Sequence, residues 1–89
     1  MSAAVMSKTP KSRRAPTKLC MSFGEKVRAL RKRKGWSLEE LAGRSEMHAT
    51  YLSSIERGHR NPTLNMIGDI AAALDVSLST ILEGLQNGG

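Results

Sequence analysis

The chain has 89 residues, of which 39% are hydrophobic and 25% charged, the length and balance of one small globular domain. With one Phe, one Trp and one Tyr, its core has to be built from aliphatic side chains, which favours packed helices over a β-sandwich. No apolar run approaches the roughly 20 residues that cross a bilayer, and the single cysteine excludes an internal disulfide. A net charge of +6 indicates a polyanionic partner.

The positive charge is concentrated at the N-terminus. Residues 1–21 contain no acidic residue and lack apolar periodicity, and their bases are Lys8, Lys11, Arg13, Arg14 and Lys18. We expect a disordered basic tail over 1–21, a folded domain over 22–85 and a frayed C-terminus over 86–89.

Helical signals follow one another from Phe23 onward. Apolar residues spaced three or four apart predict a first helix of about 12 residues, which Gly35 ends. Ser37, followed three positions later by a glutamate, is a capping box that opens a second helix ending near residue 44 or 45. A third helix is expected over about 48–57 and is closed by Gly58.

Two more helices are predicted in the C-terminal half. Residues 61–63 break the chain and cap a fourth helix, whose apolar positions are Leu64, Ile67, Ala71 and Leu74. Residues 75–77 start a fifth helix, which has more apolar residues than one side of a small core needs. We therefore predict an isologous homodimer interface formed by Val76, Leu78, Ile81, Leu82 and Leu85.

The second and third helices have the spacing of a helix-turn-helix. Only three or four residues join them, and so short a link forces a sharp angle between the helices. Ala42 is small where the two helices have to approach closely. Apolar contacts within the pair are expected from Leu41, Met47, Leu52 and Ile55.

Three stretches of this region closely resemble the Cro and lambda-repressor-like (XRE-type) helix-turn-helix family of DNA-binding proteins. They are GWSLEELA over 35–42, TYLSSIERGHRNP over 50–62, and 64–74. Within that family, the second stretch looks most like the controller proteins of restriction–modification systems. The resemblance implies an all-α, five-helix lambda-repressor-like domain, cytoplasmic and bacterial or encoded by a phage or plasmid. It also implies a homodimer on double-stranded DNA, with the third helix in the major groove of a pseudo-palindromic operator.

The same resemblance implies roles for individual residues. The positions that face base edges are His48, Ala49, Thr50, Ser53 and Ser54. The positions that contact the DNA backbone are Ser37, Leu38, Tyr51, Arg57, Arg60 and Asn61. For Tyr51, packing in the core is the alternative role. Arg31 and Glu56 match an ion pair that ties the first helix to the end of the third.

The sequence departs from the family pattern at three of its positions. Family members often carry arginine or glutamine where Ala49 stands, and since the side chains at 50, 53 and 54 are also short, we expect weak direct readout. Glutamine is usual where Leu38 stands, so one side-chain contact to a phosphate is missing. Specificity would then depend on DNA shape and on His48. The usual glycine or asparagine of the turn is Glu46, at a position expected to need a positive φ at a cost of about 1 kcal/mol.

No catalytic or metal-binding pattern accompanies these signals. Cys20, His48 and His59 lack metal-ligand spacing, and we expect neither a cofactor, nor an enzymatic activity, nor a small-molecule effector. The first hypothesis is an autoregulatory transcriptional regulator that controls restriction–modification genes. The alternative is an antitoxin-like or adaptor protein whose helix-turn-helix domain mainly binds a protein partner.

Overall fold

A computed structural model describes residues 17–85. This part of the chain forms five α-helices and no strand, which confirms the predicted all-α class. The helices are α1 Lys18–Arg33, α2 Leu38–Arg44, α3 Ala49–Glu56, α4 Leu64–Ala73 and α5 Leu78–Leu82. None of them is long and apolar enough to cross a membrane.

Hydroxyl side chains start four of the five helices. Thr17, Ser37, Thr63 and Ser77 each accept a hydrogen bond from the backbone N–H three positions on, at 3.0–3.1 Å. Only half of the predicted capping box forms, because the carboxylate of Glu40, three positions after Ser37, accepts from Arg44 instead. The fifth helix, α3, begins after His48 without a side-chain cap.

The first helix begins earlier than its apolar pattern predicts. The Thr17 cap extends α1 five residues upstream of Phe23, to Lys18. Residues 18–21 are therefore helical, which corrects the predicted boundary between tail and domain. The remainder of the predicted tail, 1–16, and the predicted frayed end, 86–89, lie outside the described residues.

Four helices end in the same backbone motif. The closing residue is left-handed in each, with φ of 75° at Gly35, 57° at Glu46, 82° at Gly58 and 60° at Asp75. The N–H of the following residue donates to the carbonyl five positions back, at 2.9–3.2 Å. This Schellman arrangement satisfies carbonyls that the helix leaves free. The positive φ predicted for Glu46 is confirmed, whereas the one at Asp75 was not foreseen.

The core is aliphatic apart from Phe23 and draws on every helix. The largest side chains with less than 2% exposure are Leu41, Leu52, Ile55, Ile70, Leu74, Ile81 and Val27. Two sequence expectations need correction here. Ile81 is fully buried within the protomer, so it does not belong to a surface that meets a second copy. Leu64, one of the apolar positions from which α4 was predicted, is 71% exposed because it is the first residue of that helix and precedes the turn that enters the core.

The third helix packs against both α1 and α2. Gly24 of α1 lies so close to the end of α3 that a Cβ there would stand 2.4 Å from the carbonyl oxygen of Ile55 and 2.5 Å from that of Glu56. The absence of a side chain at Gly24 therefore sets the distance between α1 and α3.

Candidate nucleic-acid interface

The exposed face of α3 carries short polar side chains. Leu52 and Ile55 are fully buried and fix the rotation of the helix about its axis. The opposite face then presents Thr50, Ser53 and Ser54, which are exposed or half-buried, followed by the exposed Arg57. This face combines residues predicted for base edges with one predicted for the DNA backbone.

The other two predicted base-edge residues are placed differently. His48 is exposed immediately before α3. Ala49 is half-buried and packs against the core, so its methyl group is only partly available to a ligand. The structure therefore brings Thr50, Ser53 and Ser54 onto one face and leaves Ala49 at its margin.

Predicted backbone contacts at the start of α2 differ in exposure. Ser37 is exposed, and its Oγ already accepts from the N–H of Glu40. Leu38 is half-buried against the core and offers a ligand mainly its backbone.

The loop between α3 and α4 adds two cations and an amide. Arg57, Arg60 and Asn61 are all exposed, and the Nη2 of Arg57 donates to Ser54 Oγ at 3.4 Å. The backbone of this loop is fixed at Gly58 by the Schellman bonds described above. Cationic and amide donors therefore flank the C-terminal end of the polar face of α3, where phosphate oxygens can accept from them.

Tyr51 makes its polar contact inside the domain. Its ring is half-buried, and its hydroxyl donates to Met66 Sδ on α4 at 3.7 Å. The guanidinium of Arg60 lies over the same ring, 5.2 Å from the centroid. Sequence spacing did not predict either contact, because Met66 and Arg60 lie 15 and nine positions from Tyr51 and reach it only through the path of the α3–α4 loop.

A two-point ion pair holds the end of α3 to α1. Arg31 Nε and Nη2 lie 2.8 and 3.0 Å from the two carboxylate oxygens of Glu56, and its Nη1 donates to the carbonyl of Trp36 at 2.9 Å. The two side chains are 11% and 7% exposed. The hydrogen bond to Glu56 raises the pKa of Arg31, although burial opposes it, so the guanidinium stays charged.

Two cations stack on the tryptophan that precedes α2. The guanidinium of Arg44 lies 4.2 Å from the centroid of the Trp36 ring, and Lys34 Nζ lies 5.4 Å from it. Arg44 also pairs with Glu40 at 2.7 Å. This cluster was not predicted from the sequence, where its only signal is an aromatic residue with basic residues two positions before it and eight positions after it.

The chain enters the domain beside the α3–α4 loop. Met21, in the first turns of α1, packs on Gly58: a Cβ at that glycine would lie 2.8 Å from Met21 Cα and 2.6 Å from its Cγ. The N-terminal end of α1 is thus next to the loop that carries Arg57 and Arg60.

The last helix leaves leucines at the surface. Leu78 is 45% and Leu82 38% exposed, whereas Val76 and Leu85 are half-buried against the core. Lys26 Nζ donates to the carbonyl of Glu83 at 2.7 Å and ties the end of α5 to α1.

Comparison with known proteins gives a consistent group of relatives. Residues 27–81 match the family model HTH_3, described as helix-turn-helix. The HTH-type transcriptional regulator SinR of Bacillus subtilis is 43% identical over 62 residues, covering 68% of this chain and 56% of SinR. Control protein C.BamHI of Bacillus amyloliquefaciens is 45% identical over 62 residues, covering 68% of this chain and 76% of the control protein.

Solved structures extend this similarity to the fold. The restriction-modification controller protein C.Esp1396I, determined as a tetramer in complex with its natural 35 base-pair operator, has a TM-score of 0.69 at 34% identity. The match covers 73% of this chain and 86% of that protein. The chain spans about half the length of the first curated relatives it matches.

Proposed function

Since this chain belongs to the helix-turn-helix family HTH_3, we propose that it is a sequence-specific DNA-binding transcriptional regulator that acts as a homodimer on a pseudo-palindromic operator. In this proposal α3 enters the major groove. Thr50, Ser53, Ser54 and His48 face base edges, with Ala49 at the margin. The DNA backbone is contacted by Ser37, Leu38, Arg57, Arg60 and Asn61.

The observation that carries the proposal is the two-sided character of α3. Leu52 and Ile55 bury one side of the helix completely, and the other side presents short polar side chains that end at Arg57. Groups of this kind suit hydrogen bonding to base edges, and the cations beyond them suit phosphates. Relatives described as a transcriptional regulator, a control protein and an operator-bound tetramer support the same assignment.

A binding titration tests the proposal. Fluorescence anisotropy with the DNA upstream of the protein's own gene, and with random DNA of the same length, is measured over a series of salt concentrations. We expect tighter binding to the upstream DNA and a linear fall of log affinity with log salt for both. Equal affinity for both DNAs would contradict sequence-specific binding. Capture of a protein partner without DNA binding would support the antitoxin-like or adaptor alternative.

We further propose that the exposed leucines of α5 meet the same surface of a second copy. Val76, Leu78, Leu82 and Leu85 form this surface, and Ile81 supports it from inside the protomer. Leu82→Asp is expected to shift the protein to a monomer in sedimentation, and its melting temperature should no longer rise with protein concentration.

The matched control for the dimer is Ile81→Ala. This change lowers the melting temperature because it empties a core position, and at temperatures below that transition it leaves the protein a dimer. A monomer for the unaltered protein at about 50 μM would contradict the interface, since a dimer with a Kd of about 1 μM is mostly assembled at that concentration.

A further inference from the structure

We propose that the ring of Tyr51 is a platform that positions Arg60 for contact with a DNA phosphate. Tyr51 is then a positioning residue, and its hydroxyl does not itself contact the DNA. The inference rests on the proposed function and assigns one residue within that DNA surface a specific task.

The first support is the use of the Tyr51 hydroxyl. It donates to Met66 Sδ at 3.7 Å, and this contact fixes the ring against α4. The hydrogen of this hydroxyl therefore already has an acceptor within the protein, the sulfur of the half-buried Met66, rather than a DNA phosphate. The ring is half-buried, so one part of it remains available as a surface.

The second support is the position of Arg60. Its guanidinium lies over the Tyr51 ring at 5.2 Å from the centroid, within the range of a cation–π contact. Arg60 is exposed on the α3–α4 loop and would otherwise sample many rotamers. Binding to a phosphate would then require ordering of the whole side chain, which weakens association. The ring restricts the guanidinium before DNA binds. A guanidinium that lies on an aromatic ring can still donate hydrogen bonds, because its N–H groups point outward in its own plane.

Arg57 offers the matched comparison within the same loop. It too is exposed, but its guanidinium donates to Ser54 Oγ at 3.4 Å rather than lying over the Tyr51 ring. If Tyr51 acts through Arg60, its loss should couple to changes at Arg60 and leave the contribution of Arg57 untouched.

The test is a pair of double-mutant cycles measured as binding to random DNA at low salt. Tyr51→Leu is expected to weaken binding about two- to fivefold, the range of an exposed cation–π contact. In the Arg60→Ala background the same change should have no effect, whereas in the Arg57→Ala background its full effect should remain. Tyr51→Phe, which keeps the ring, should bind like the unaltered protein.

Nuclear magnetic resonance of the free protein tests the stack independently of DNA. The Arg60 side-chain protons should show an upfield ring-current shift that Tyr51→Phe retains and Tyr51→Leu abolishes.

Three results would overturn the platform. They are loss of affinity in Tyr51→Phe, equal effects of Tyr51→Leu in both arginine backgrounds, and absence of the ring-current shift. If the unaltered protein failed to bind DNA although the shift was present, the proposed function would fail and the stack itself would stand.

Discussion

The two ends of α3 differ in how the domain holds them. At the C-terminal end, the Arg31–Glu56 ion pair, the close approach of Gly24 and the packing of Met21 on Gly58 all fix the backbone to α1. At the N-terminal end, His48 makes no side-chain cap and Thr50 is exposed. The domain therefore anchors this helix from one end and leaves the other available. Changes to the contacts that anchor the helix should act on stability, and changes on its exposed polar face should act on DNA binding.

The largest effect is expected from loss of the ion pair. Glu56→Ala leaves the nearly buried guanidinium of Arg31 without its carboxylate, which should lower the free energy of unfolding by about 3 kcal/mol. Urea denaturation measures the loss. The double change Arg31→Met with Glu56→Leu should cost less, because it leaves no buried charge unpaired; an equal or greater cost would show that the pair stabilises by more than charge compensation.

A smaller loss should follow from adding a side chain at Gly58. Gly58→Ala combines a positive φ with a collision against Met21, and we expect a loss of about 2 kcal/mol in thermal or urea unfolding. Gly35→Ala is the matched control, since its φ is 75° but nothing lies within 4 Å of the added Cβ, so it should cost about 1 kcal/mol. Equal losses at both glycines would mean that the Met21 contact relaxes freely.

On the exposed polar face of α3 and at the arginine that follows it, the expected change is in DNA binding. Thr50→Ala should weaken binding to the operator by about 1 kcal/mol and leave the salt dependence unaltered, because a base-edge contact releases no counterion. Arg57→Ala should instead weaken binding to operator and random DNA alike and reduce the salt slope by about one. A changed salt slope in Thr50→Ala would place that residue at the backbone rather than at a base.

The smallest effect concerns the turn that leads into the free end. Glu46 has a φ of 57°, so Glu46→Gly should raise the free energy of unfolding by about 0.5–1 kcal/mol. Asp75→Gly should give a similar gain, since Asp75 closes α4 with a φ of 60°. A lower melting temperature for Glu46→Gly alone would indicate that its side chain stabilises the helix-turn-helix in a way that outweighs the strain.

The fold could be predicted from sequence where local signals decide it. Ser37, Thr63 and Ser77 cap helices at the expected positions because each hydroxyl bonds a backbone N–H only three residues away. The start of α1 was missed because apolar periodicity begins at Phe23, whereas Thr17 supplies the cap.

Contacts between distant segments set the limit of that prediction. An apolar stripe on α5 did not reveal that Ile81 faces its own core, since burial depends on how α5 packs against α1 and α4. The residues of the candidate DNA surface could be predicted because the sequence resembles a known family. The placement of Arg60 over Tyr51, and the role of Gly24 in setting a helix separation, follow only from the three-dimensional arrangement.

Because two cations lie over Trp36, its intrinsic fluorescence should report on the state of the protein. Trp36 is the single tryptophan of the chain, so all indole emission comes from one ring. Lys34 and Arg44 lie over that ring, and the backbone carbonyl of Trp36 accepts from Arg31. Unfolding disperses both cations and hydrates the indole, which should shift the emission to longer wavelength. A polyanion that draws either cation away would change the intensity without unfolding. The emission wavelength of Trp36 should thus report unfolding and its intensity ligand binding, so one label-free titration can distinguish the two events.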